Sequence, residues 1–173
     1  MKVIKVFVSL FFLLILQVAL FAHLRPFGVA PDLLLVAAVV GAIVGGPDFG
    51  VRNGFAAGLL LDLVVPGPLG LAAGLYGAVA YMTGQVSRTV DSDDPRIMPL
   101  IIFLASGVAT VAYGFGLGVL GSEQFVEWGL FTTAFAVAVY AVPLAFAVRR
   151  LYSWVLVDPT QAARTEPARS VVN

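Results

Sequence analysis

Few residues in this chain could do chemistry, and the most unusual of them is Asp62. It stands inside the apolar run Leu59 to Val65, four residues before Pro66. A carboxylate in such a run could relay a proton, hold a coupling ion or anchor a ligand, because an ionised acid among apolar side chains is costly without a partner. A relay needs a second buried acid on another segment, and none is available to share the task. Asp62 is therefore expected to be structural. At the end of a helix it opposes the dipole, and its expected donors are Arg25, the amides that begin the next helix, or water. Asp32 follows Pro31, which makes an ordinary helix start with an acid beside it. Arg25 could pair with Asp32 or with Asp62, and spacing does not choose between them. His23 stands alone and reads as an interfacial side chain.

Gly50, Gly54, Gly58 and Asp62 recur every four residues, so one stripe of a helix is nearly bare of side chains. In lipid, helices gain no hydrophobic drive from associating, and small stripes matter because backbones can approach closely. Two readings stay open: a tight contact between helices, or a ligand cleft lined by the same glycines. Pro66-Gly67-Pro68-Leu69-Gly70 ends the helix abruptly, with Gly67 and Gly70 as the turn determinants.

Other constellations are absent. The chain has Cys 0 and His 1, which excludes disulfides, thiolate chemistry and a histidine-cluster metal site. It has no phosphate-binding glycine loop followed by Lys and Ser, no H-E-x-x-H, no serine elbow and no paired intramembrane aspartates. No catalytic residue, cofactor or metal is expected. The arginines are scattered and form no nucleic-acid footprint.

The elements that carry these residues belong to a membrane protein. Of 173 residues 60% are hydrophobic and 12% charged, with mean hydropathy +0.99, whereas soluble domains carry about 25% charged residues. The expected fold class is all-α, a polytopic membrane protein of about six transmembrane helices. The spans are predicted over about 3–22, 31–44, 51–65, 71–86, 97–120 and 125–148, the first being a retained span and not a cleaved leader. The second and third are short, and an alternative makes them a re-entrant hairpin, for four spans in all. The predicted organisation is one membrane domain over 1–157 and a cytoplasmic tail over 158–173 that has nothing to bury. Tyr152 and Trp154 read as aromatic anchors at the interface. With six spans, Lys2, Lys5, Arg52, Arg88, Arg96, Arg149, Arg150, Arg164 and Arg169 share the side of the termini, and only Arg25 lies opposite. The positive-inside bias then puts both termini in the cytoplasm.

Pro31-Asp32-Leu33, the run Gly54-Phe55-Ala56-Ala57-Gly58-Leu59-Leu60-Leu61-Asp62 and the turn Gly67-Pro68-Leu69-Gly70 resemble the bacterial rod-shape-determining membrane protein family MreD. The aromatic-glycine run Tyr76-Gly77-Ala78-Val79-Ala80-Tyr81 adds to the likeness, which covers about Leu16 to Gly84; beyond that only hydropathy matches. The resemblance implies a nonenzymatic scaffold of the cell-elongation machinery in the bacterial plasma membrane, supporting cell shape and lateral peptidoglycan synthesis. It implies contacts with an MreC-like single-span coiled-coil protein, an MreB-like actin homologue and the elongation polymerase–transpeptidase pair, and no nucleic acid. It also implies a fold like the substrate-binding subunits of energy-coupling-factor vitamin transporters, and Gly54, Phe55, Gly58 and Asp62 as fold and partner determinants. The family often has a basic residue in the turn before this motif; here Gly46-Pro47-Asp48 lacks one and Arg52 comes later. The rival function is a vitamin-type substrate-binding subunit, which would need a polar, aromatic pocket.

Overall fold

Gly46-Pro47 and the run Pro66 to Gly70 bound two short helices in the first half of this apolar chain, while two longer helices follow in the second half. The computed structural model describes residues 2–21, 30–90, 96–120 and 129–156. Arg25, His23 and the tail 157–173 lie outside the described residues, as does the Trp154 side chain. Six helices follow one another: α1 (Lys2–Phe21), α2 (Leu33–Gly45), α3 (Pro47–Asp62), α4 (Leu71–Thr89), α5 (Ile97–Val119) and α6 (Gly129–Leu156). Among the described residues there is no strand.

The all-α expectation stands, but the six transmembrane helices do not. Among the described residues two helices, not six, are long and apolar enough to cross a membrane: Ile97–Val119 and Gly129–Ser153. The reasons lie in length and composition. α2 has 13 residues, about 20 Å of helix against a hydrocarbon core of about 30 Å. α3 carries Asp48, Arg52, Asn53 and Asp62 within 16 residues. The last turns of α4 hold Gln85, Ser87, Arg88 and Thr89, and the apolar part of α1 shortens to Ile4–Ala19.

α2 is the hub. It is apolar on every face, as a fully surrounded helix must be, and Leu33 through Ala42 are all buried. Each of the other five helices packs against it. Asp32 caps its start by accepting the Leu35 amide at 3.0 Å, and Gln17 of α1 accepts the Leu34 amide at 3.1 Å. A single residue, Gly46, then reverses the chain with φ 79°, a left-handed value that favours glycine. Pro47 opens α3 at once, where a missing amide hydrogen costs nothing.

α5 and α6 pair with each other and keep most of their surface outward; 28% and 33% of their apolar windows are buried. Phe103 and Phe135 meet edge to face between them, with ring centroids 5.8 Å apart.

Candidate functional site

Among the described residues α3 and α4 share the most extensive helix contact, and glycine lets their backbones approach. A Cβ on Gly50 would fall 2.6 Å from the Ala42 Cβ of α2 and 3.0 Å from the Ala80 carbonyl of α4. One on Gly54 would reach the Tyr76 carbonyl at 2.5 Å, and one on Gly58 would overlap the Ala72 carbonyl and the Ala73 Cα. On the other strand of the contact, a Cβ on Gly84 would lie 2.6 Å from the Pro47 Cα. Stepping four residues down α3 moves the contact four residues up α4, so the two run antiparallel in continuous register. Phe55 is not part of this stripe. It lies one residue on, about 100° round the helix, 51% exposed and in line with exposed Val51, Leu59 and Leu63 on the flank of α3 beside the glycines.

The stripe ends on Asp62, which is 8% exposed. Its carboxylate accepts the amides of Gly70 at 2.9 Å, Ala72 at 3.1 Å and Ala73 at 3.1 Å. These are the orphan donors at the start of α4, and the positive end of that helix dipole favours the negative charge. A residue at the end of one helix thus caps the beginning of the next. Gly70 holds φ 94° there, the left-handed conformation that lets its own amide turn toward Asp62. Gly67 has ordinary room; a Cβ on it would sit 3.7 Å from the Tyr113 hydroxyl.

Asp32 joins the same end of the molecule by another route. Besides capping α2 it accepts the hydroxyl hydrogen of Tyr76, from the middle of α4. Asp32, Gln17, Tyr76, Thr110, Tyr113 and Thr133 border a cleft of about 420 Å³ to which every helix or its flanking chain contributes. The structure brings Asp32 and Asp62 to one end of the bundle, Asp32 held by an amide and the Tyr76 hydroxyl and Asp62 by three amides.

Two groupings escaped the sequence reading. Asn53, 3% exposed, donates to the Ala37 carbonyl of α2 at 2.9 Å and accepts the Tyr152 hydroxyl at 2.8 Å. Tyr152 is fully buried and packs edge to face on Phe49, so it is a core residue and not an interfacial anchor. The signal for Asn53 was present, since an amide in an apolar helix has to face protein. The second grouping is at the α2–α3 turn. Arg88 of α4 brings its guanidinium against Gly46 and within 4.0 Å of Asp48. The turn that lacks a basic residue in sequence acquires one in space. Arg149 of α6 reaches Met98 of α5 at this same end.

A glycine-stitched helical core carrying two helices long and apolar enough to cross a membrane is the build of a helical membrane protein. The chain belongs to the family of the rod shape-determining protein MreD, whose model matches residues 1–155. It is accordingly a membrane scaffold of cell shape and elongation, with at least two apolar spans. No curated protein matches the chain, and no solved structure matches it.

Proposed function

We propose that the chain holds an MreC-like single-span coiled-coil protein against the outer face of α3 and α4, within an assembly that includes an MreB-like actin homologue and the elongation polymerase–transpeptidase pair. The observation that carries this reading is the row Val51, Phe55, Leu59 and Leu63, exposed on the flank of α3 that adjoins its glycine stripe and borders α4 at Gly77. The glycine stripe is consumed inside the molecule by α4, so it leaves no bare groove for a partner. α2 is enclosed and can offer nothing. What α3 presents outward is a helical row of apolar side chains, the surface on which a second helix packs by van der Waals contact.

Both termini lie in the cytoplasm on this reading. The basic side chains of Arg52, Arg88, Arg96, Arg149 and Arg150 belong to the start of α3, the end of α4, the start of α5 and the end of α6. The contacts of Arg88 with the α2–α3 turn and of Arg149 with Met98 gather those ends, which supports a cytoplasmic face under the positive-inside rule. Photocrosslinking from Phe55 and Leu59 after coexpression with the single-span protein tests the contact. Crosslinks to that protein from both positions are expected. Their absence from both, with the complex otherwise intact, would refute this surface as the contact.

A further inference from the structure

The cleft beside Asp32 has a composition that scaffolding does not use. Its polar lining comes from Gln17 of α1, Asp32, Tyr76 of α4, Thr110 and Tyr113 of α5, and Thr133 of α6, set among Pro31, Leu61, Val65 and Val137. Among the described residues no Lys or Arg lines it. The only formal charge among the described lining residues is the Asp32 carboxylate; burial raises its pKa, while the Leu35 amide and the Tyr76 hydroxyl donate to it and act the other way. A carboxylate that burial pushes toward its neutral form is favoured as the anion by a cation placed beside it. Asp62 lies close enough to add its field at Tyr76 and Tyr113.

An anionic oxygen beside the rings of two tyrosines, inside walls that are mostly apolar, attracts one kind of group. A cation gains a charge-assisted hydrogen bond from the carboxylate and is further attracted by the faces of aromatic rings. An anion meets repulsion, and a neutral polar group gains neither term. The volume, about 420 Å³, is at the small end of the usual range for ligand pockets. We infer that this cleft binds a small molecule bearing a protonated amine on an apolar or aromatic body, with the ammonium on Asp32 and the body between Tyr76, Tyr113 and Val137. The inference goes beyond the scaffold role and does not rest on it.

Titration of the detergent-solubilised full chain with phenethylamine, followed by calorimetry, tests it. The neutral analogue 2-phenylethanol and the anion 3-phenylpropanoate, of similar size, control for partition into detergent. Saturable binding of the amine alone is expected. Asp32→Asn retains a good capping residue and should weaken the amine by roughly tenfold or more, as loss of a charged hydrogen-bond partner implies. Thr133→Phe, which fills the cleft from α6, should abolish binding while leaving the Asp32 cap alone. Equal binding of the alcohol, undiminished binding by Asp32→Asn, or no binding by the unaltered chain would each overturn the site. Crosslinking to the single-span partner is read separately, so the scaffold reading survives or fails independently.

Discussion

The Tyr152 hydroxyl donates to the Asn53 side-chain oxygen at 2.8 Å, joining residues 99 apart in the chain. Asn53 passes the link on to the Ala37 carbonyl at 2.9 Å. One buried amide therefore ties the end of α6 and the first turns of α3 to the central helix. A Cβ on Gly41 would clash with this amide, so the hub helix is bare just where the link crosses it.

Breaking that link should cost stability without touching any surface. Tyr152→Phe removes one hydroxyl and leaves the Asn53 oxygen unsatisfied, an expected loss of about 1–3 kcal/mol. Thermal unfolding in detergent measures it. Asn53→Ala should cost at least as much, and the double variant less than the sum, since the two side chains share one interaction.

Gly58 faces the backbone of α4 at Ala72 and Ala73, where no flexible side chain can move aside. Gly58→Leu should sharply reduce membrane yield and melting temperature, because either the helices part or the carbonyl shifts. Leu59→Ala, on an exposed residue, should leave both close to those of the unaltered chain. Equal behaviour of the two variants would mean that α3 and α4 are not closely packed along this stripe.

Asp62 offers a charge test. Asp62→Asn keeps the size and one acceptor oxygen, so it should retain part of the cap on α4 at a cost of about 1 kcal/mol. Asp62→Leu leaves the amides of Gly70, Ala72 and Ala73 without their acceptor, at about 1–3 kcal/mol for each buried donor left unpaired. The order Asn milder than Leu, read from melting temperatures, is the expected result; the reverse order would mean the carboxylate does not cap α4.

Orientation is open to direct labelling, because the chain has no cysteine. Ser122→Cys, between the two long apolar helices, should react with an impermeant thiol reagent in intact cells, while Ser92→Cys and Thr165→Cys should not. Labelling of the latter pair with sparing of Ser122→Cys would invert the orientation.

Composition pointed to a membrane protein, because a chain with so few charged residues cannot cover a water-facing surface, and the long apolar runs pointed to helices. The four-residue glycine spacing was equally plain, since a helix turns about 3.6 residues per turn and aligns such positions on one face. That Asp62 requires donors also follows from its apolar neighbours. The number of spans did not follow. Apolar run length cannot separate a short membrane helix from a core helix surrounded by its own chain, and α2 proved to be enclosed by the other five helices. Tyr152 near the end of α6 has the local context of an interfacial aromatic; only packing on Phe49 and Asn53 makes it core. Arg88 reaches the turn at Gly46 only because α4 runs back along α3. Local sequence sets helix propensity and which side chains need partners, but the partner is chosen by contacts between residues tens of positions apart, and those exist only once the helices have packed.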